Sequence, residues 1–179
     1  MVILGIDPGT ASTGFGIIIK NLGKLEAKSY GIIRTSPQEE LSKRLKRIYL
    51  EIKKIISDYR PDELVIEELF FNTNLKTALA VGQARGVLFL AAADSDLTPV
   101  EYSPLQVKQA VAGYGRASKD QIQFMVKSLL NLSEAPKPDD AADALALAIC
   151  HAHSRGFNEK IKEDCREVST SEKRRFPVV

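Results

Sequence analysis

Four carboxylates stand at points where this chain turns or starts a new element. Asp7 follows the apolar run Val2-Ile3-Leu4-Gly5-Ile6 and precedes Pro8-Gly9, which turns the backbone sharply. Glu67 ends a second apolar run, Leu64-Val65-Ile66. In an open α/β sheet ligands collect at the carboxyl ends of strands, so two acids at two such ends are candidates for one site. Asp140 and Asp143 belong to Asp139-Asp140-Ala141-Ala142-Asp143-Ala144, which opens a helix continuing as Leu145-Ala146-Leu147-Ala148-Ile149. Their i, i+3 spacing puts them on one helix face, about 4.5 Å apart along the axis. Each acid taken singly also reads as a turn residue or a helix cap. Capping accounts well for Asp139 or Asp140 and less well for Asp143, which lies deeper and among alanines. Those alanines let the helix approach a sheet closely, and an acid on such a face repels its neighbours unless a cation neutralises it.

The chemistry this implies is that of a hard cation. An all-oxygen set with no histidine–cysteine cluster suits magnesium or manganese and not zinc. Two such ions about 4 Å apart activate a water and stabilise the leaving oxygen of a phosphodiester. The sequence contains no G-x-S-x-G elbow and no cysteine–histidine arrangement with a clear base. Cys150 and Cys165 show no CxxC spacing, which argues against a zinc site, and a reduced compartment argues against a disulfide.

The elements that must carry these acids follow from patterning. The chain has 179 residues, 44% hydrophobic and 27% charged, with a net charge of +2. That is the length and composition of one soluble domain, and it excludes a histone-like polycation and an acidic disordered chain. No apolar run reaches the ~18 residues of a membrane span, and the N-terminus lacks the basic start and longer apolar core of a signal peptide; a cytoplasmic protein is expected. Strands are expected at Val2–Ile6, Gly14–Lys20, Leu25–Arg34, Glu63–Glu67 and Pro99–Tyr102, the first three forming an antiparallel meander. Helices are expected at Gln38–Tyr59, Asn74–Ala93 (capped by Thr73 or Asn74), Ser103–Ala112, Ser118–Asn131 and from Asp139 or Asp140 to His153. The order β-β-β-α-β-α-β-α-α-α gives an α/β domain: one mixed five-stranded sheet, three antiparallel meander strands then parallel strands, flanked by helices. The domain is expected over 1–156, and the polar 157–179 segment is expected to be a mobile tail.

With these residues in place the chain resembles the RuvC family of Holliday-junction resolvases. The resemblance lies in Gly5-Ile6-Asp7-Pro8-Gly9-Thr10 with Thr13-Gly14-Phe15-Gly16, Ile66-Glu67-Glu68-Leu69-Phe70, Gly82-Gln83-Ala84-Arg85-Gly86, Gln106-Val107-Lys108-Gln109 and Asp140-Ala141-Ala142-Asp143-Ala144-Leu145-Ala146. It runs in order from about residue 2 to 155 and implies a ribonuclease-H-like fold. It implies a magnesium-dependent homodimer, with two Mg2+ ions per site and Mn2+ able to substitute. Such an enzyme nicks two strands of like polarity across a four-way DNA junction in recombination and repair, leaving ligatable ends. The branch-migration proteins RuvA and RuvB are implied partners. The family's metal-binding and catalytic acids fall on Asp7, Glu67, Asp140 and Asp143. Some members have histidine where Asp140 stands, and Glu68 stands where others have glutamine.

The resemblance also implies DNA contacts. Phe70 matches an aromatic that stacks on a base near the junction centre, recovering stacking energy lost on opening; for Phe70-Phe71 the alternative is a strand end packed in the core. Lys108 and Lys119 match positions near the cut, and Arg116 lies beside Lys119 at a helix start where backbone amides favour phosphate. Arg85 is open between holding phosphate and packing internally. His151 and His153 read as structural or C-terminal dipole partners, with His151 near enough in helical turns to approach the metals. The helix from Thr77 to Ala93, with Ala78, Ala80, Gly82, Ala84 and Gly86, is a candidate contact between two copies, since a two-fold junction calls for two sites. The Asp-Pro-Gly-Thr turn also resembles the phosphate loop of actin-like sugar kinases, which need a second lobe larger than this length allows. A junction-binding module without catalysis is the remaining rival, and the presence of all four acids argues against it.

Overall fold

The computed structural model describes residues 1–68 and 75–155. Phe70, Phe71, Thr73, Asn74, Cys165 and the 157–179 segment lie outside them. β1 (Val2–Asp7), β2 (Ser12–Asn21) and β3 (Lys24–Arg34) form the meander, followed by α1 (Leu41–Tyr59), β4 (Glu63–Glu67), α2 (Leu75–Ala93), β5 (Val100–Tyr102), α3 (Pro104–Ala112) and α4 (Lys119–Leu129). A last helix, α5, occupies 139–155. The expected elements are all present. The main difference is the start of α1, three residues later than expected, because residues 36–39 close a turn through Glu39 N–H and the Ser36 carbonyl.

The sheet order is β3-β2-β1-β4-β5. β1 pairs antiparallel with β2 and parallel with β4, so it is central and buried on both faces, which is why it reads as a continuous apolar run. Side chains alternate across it. Leu4 and Ile6 join Ile17, Leu64 and Ile66 in a core under α1 and α2. Ile3, Ile18 and Val65 join residues of α3, α4 and α5 on the other face. The β2–β3 hairpin turns through Leu22 and Gly23, both at positive φ (47° and 81°), the two-residue geometry that matches strand twist. α3 and α4 each begin with a capping box, Ser103 with Gln106 and Ser118 with Gln121, which satisfies backbone donors at both ends of the reciprocal pair.

Glycine and alanine seat α5 on the sheet. A Cβ on Gly5 would lie 2.1 Å from the Ala144 carbonyl oxygen, one on Gly14 would lie 2.0 Å from that of Asp140, and one on Gly16 would lie 2.8 Å from the Leu145 nitrogen. Three glycines on two adjacent strands thus meet the first two turns of α5, and Ala141, Ala142, Ala144 and Ala148 are fully buried. The contact is backbone against backbone at Gly5 and Gly14, with the Leu145 side chain also seated on Gly16, and it brings the acids of α5 down to the strand ends. Among the described residues no helix is long and apolar enough to cross a membrane.

Candidate active site

Strand pairing places the first two acids side by side. Ile6 and Ile66 are register partners in the parallel β1–β4 pair, so Asp7 and Glu67 follow them at neighbouring carboxyl ends. By alternation both share the face of Gly5 and Val65, the face on which α5 lies. Asp7 also pairs with Gly14 on β2, the residue that touches Asp140. The turn beyond Asp7 is pinned from behind: the buried Thr13 hydroxyl donates to the Gly9 carbonyl at 2.6 Å, and the Thr35 hydroxyl donates to the Thr10 carbonyl.

Asp7, Asp140 and Asp143 converge, with one carboxylate oxygen from each lying within 4.8 Å of the others. Glu67 stands next to them and bears electrostatically on Asp7, as Asp143 does on Glu67. Burial, and then the charges of Glu67, Asp143 and Asp140, push the Asp7 carboxyl up to about 8. Burial raises Glu67 and Asp143 too; Asp143 adds to the first, while Arg85 opposes it, and Lys119 opposes the second.

Lys119 is the cation that answers these acids. Its Nζ lies 3.1 Å from Asp139 and 3.4 Å from Asp143. Partial burial pulls the ammonium down, but the hydrogen bond to Asp139 and the charge of Asp143 outweigh that and raise it. Lys108 and Lys119 line a cavity of 240 Å³ together with Glu67 and Asp143, so both lysines border the acids from the α3–α4 side. Arg116 is exposed one turn before Lys119. Arg85 takes the internal option. It donates to the Glu67 backbone carbonyl and to Glu101, its guanidinium lies 5.4 Å from the Phe89 ring centroid, and its side chain is 12% exposed. From the α2 side of the sheet it braces the strand end that carries Glu67. Glu68 is exposed, and its amide donates to the Tyr102 carbonyl at 2.9 Å.

His151 does not approach the acids. Its ring lies between the Glu63 carboxylate, at the start of β4, and the hydroxyl of Tyr102, whose backbone pairs with Glu67. His153 Nδ1 faces the Ala110 carbonyl at 3.1 Å. Sequence reasoning missed four participants. Gly14 and Gly16 set the height of α5, and their period-two spacing with Gly5 on a neighbouring strand was the available signal. Asp139 serves as a second anchor for Lys119, and Glu101 is the partner of Arg85; an isolated acid on a short strand carries no signal of that kind.

The donor set fits a hard divalent cation. It is all oxygen, it is partly buried, and even with Lys119 and Arg85 present its central carboxyl retains a proton far above the ordinary range. A group of acids held in that state gains by exchanging the proton for a metal ion.

Comparison with known proteins bears on what such a centre does. The family model for "Crossover junction endodeoxyribonuclease RuvC" matches residues 3–151. Proteins of that name from Alkaliphilus oremlandii and Desulforamulus reducens are 58% and 57% identical over 162 and 163 residues, covering 90% of this chain and 99% and 100% of theirs. The structure of T. thermophilus RuvC in complex with Holliday junction substrate aligns with a TM-score of 0.84 at 38% identity, over 88% of this chain and 96% of that one. The yeast mitochondrial Holliday junction resolvase Ydc2 aligns with a TM-score of 0.66 at 13% identity, over 93% of this chain and 85% of that one, a likeness of fold.

Proposed function

The chain belongs to the RuvC family of crossover junction endodeoxyribonucleases, and from that premise we propose that it resolves four-way DNA junctions by metal-dependent hydrolysis of phosphodiesters at Asp7, Glu67, Asp140 and Asp143. The observation that carries this reading is the convergence of Asp7, Asp140 and Asp143 within 4.8 Å at the strand end next to Glu67.

Asp7, Asp140, Asp143 and Glu67 would hold magnesium, with manganese as a substitute of similar donor preference. Bound there, hard divalent ions lower the pKa of a water and stabilise the leaving oxygen. Asp7 would hold the ion as a carboxylate. Lys119 leaves Asp139 and Asp143 to meet the scissile phosphate, where its charge offsets the extra negative charge of the transition state. Lys108, on the rim of the same cavity, holds the adjoining phosphate, and Arg116 tracks the backbone beyond it. Phe70 stacks on a base at the opened junction centre.

The finer reading is a homodimer that makes paired nicks in strands of like polarity and leaves ligatable ends. α2 supports it. Leu79 and Leu90 are 65% and 55% exposed, and nothing lies within 4 Å of a Cβ built on Gly82 or Gly86, so a second α2 has an apolar and closely approachable stripe to meet. RuvA and RuvB are the partners we assign to the junction-bound dimer.

The test is cleavage of a labelled four-way junction titrated with Mg2+, with a linear duplex of the same sequence as control. The reading expects metal-dependent, symmetric nicks in the junction alone. An Asp7→Asn variant should bind the junction and leave it uncut; cleavage at the parent rate by that variant would overturn the assignment.

A further inference from the structure

Glycines on the sheet and alanines on α5 bring the two close, and much of that contact is backbone against backbone. The contacts of α5 at Gly5 and Gly14 are chiefly with backbone atoms, which recur every turn, while at Gly16 the Leu145 side chain also seats against the strand. Asp140 and Asp143 are useful only at one axial position, since a displacement of about 0.5 Å is enough to spoil a preorganised site. A directional polar contact at the other end of the helix would fix that position more tightly than packing alone.

We propose that His151 is the positioning residue that sets the axial register of α5, and so the fit of Asp143 and Asp140 against Asp7 and Glu67, by locking the far end of the helix to Glu63 and Tyr102. This rests on the assignment of the four acids as the metal site.

The geometry has two ends. Glu63 and Glu67 are the first and last residues of β4, on one face, about 13 Å apart at strand rise. Asp143 and His151 are eight residues apart on α5, about 12 Å at helical rise. Asp143 and Glu67 line one cavity at one end of the strand and His151 faces Glu63 at the other, so strand and helix are matched in length between the two pairs. The His151 side chain is 7% exposed and both ring nitrogens are used: Nε2 faces the Glu63 carboxylate, and Nδ1 lies 3.0 Å from the Tyr102 hydroxyl. The Tyr102 and His151 rings meet edge to face at 5.7 Å. A neutral imidazole satisfies both contacts, with Nε2–H donating to the carboxylate and Nδ1 accepting from the tyrosine. Burial, and then Lys20, hold the ring below its ordinary value, consistent with that form.

The lock engages β4, which carries Glu67, and β5, which leads into α3. Glu63 is on the strand of Glu67. Tyr102 is the last residue of β5 and its chain leads directly into α3, which carries Lys108. Arg155 pairs with Glu63 one helical turn beyond His151, and Lys20 Nζ donates to the Ala152 carbonyl at 2.6 Å, tying the same end of α5 to β2. Buried polar contacts of this kind select one register among several that apolar packing would allow.

The test measures Mn2+ binding directly, by calorimetry on the full chain, alongside the Mg2+ concentration for half-maximal junction cleavage and junction affinity in Ca2+. His151→Phe keeps the ring volume and removes both bonds. The expected result is a Mn2+ dissociation constant raised about tenfold, a matching rise in the Mg2+ requirement, and unchanged junction affinity in Ca2+. His151→Gln, which can keep a donor to Glu63, should show a smaller shift. Tyr102→Phe removes one bond and Glu63→Leu the other, together with the Arg155 pair, and they stand in if His151→Phe does not fold; each should raise the Mn2+ constant by a measurable part of that factor. Folded variants that bind Mn2+ as the parent does, whatever their melting temperatures, would overturn the proposal. A parent chain that binds no Mn2+ would instead overturn the site on which it rests.

Discussion

Gly14 and Asp140 meet without a side chain between them: a Cβ at position 14 would sit 2.0 Å from the Asp140 carbonyl oxygen and 3.1 Å from the Asp140 Cβ. Since Gly14 is also the register partner of Asp7, the absence of one methyl group lets an acid of α5 stand beside the acid of β1. Gly14→Ala should therefore push the start of α5 off the sheet. Backbone cannot yield as a flexible side chain would, and we expect a stability loss of about 1–3 kcal/mol, the scale of overpacking. Urea melts give that loss. A parallel Mn2+ titration should show a larger defect than the same loss of stability produced by a substitution in the α1 core, such as Ile52→Val.

The elevated Asp7 carboxyl makes a prediction about pH. An unfolded aspartate titrates near 3.8 and the folded Asp7 at about 8. Between those values the unfolded chain releases a proton that the folded chain keeps, so metal-free stability falls as pH rises from about 4 to about 8. Asp7→Asn removes the Asp7 share of that dependence. Without divalent ions the variant should melt above the parent, with the gap wider at pH 8 than at pH 5. Added Mg2+ should raise the melting temperature of the parent and leave that of the variant unchanged. Scanning calorimetry at the two pH values checks both points. A parent whose metal-free stability climbs between pH 5 and 8, with the variant following it, would contradict the burial of Asp7 among other acids.

Lys119 separates a ligand from a charge partner. Its ammonium competes with a divalent ion for Asp143, 3.4 Å away. In Lys119→Met, Mn2+ should bind at least as tightly as in the parent. Cleavage should nevertheless fall about 10²-fold, the scale for removing one group that stabilises charge in a transition state. Calorimetry and single-turnover cleavage at saturating Mg2+ measure the two effects independently.

Arg85 makes the opposite prediction to a phosphate-binding arginine. Its donors are engaged by the Glu67 carbonyl and Glu101. Arg85→Ala should cost about 1–3 kcal/mol in stability, as expected when hydrogen bonds to and from a charged group are removed. It should raise the Mg2+ requirement through Glu67. Junction affinity in Ca2+, and its dependence on salt, should stay as in the parent; a shallower salt slope would mean that Arg85 does contact phosphate.

The strands, the helices and the four acids were legible in the sequence because each has a local signature. β1 and β4 are unbroken apolar runs ending in an acid, and α5 announces itself with paired aspartates before a run of alanine and leucine. The purpose of those alanines was also legible, as close approach to a sheet. What was not legible depends on contacts between distant segments. Arg85 and Glu101 are 16 residues apart and Glu63 and His151 are 88, and no local pattern pairs them. A histidine near the end of a helix reads as a structural or dipole partner; only the sheet shows that the partner of His151 is Glu63, at the strand end away from the acids. Phe70, the residue with the most specific DNA role implied by resemblance, lies outside the described residues, and its role stands as a proposal.

The central claim is that Asp7, Glu67, Asp140 and Asp143 together hold divalent cations. Crystals of the full chain soaked in Mn2+ test it most directly through anomalous scattering. The account predicts density within coordination distance of the Asp7, Asp140 and Asp143 carboxylates, with Glu67 completing the set and Lys119 withdrawn from Asp143. Anomalous density absent from that strand end, with Lys119 still seated on Asp143 at saturating Mn2+, would contradict it.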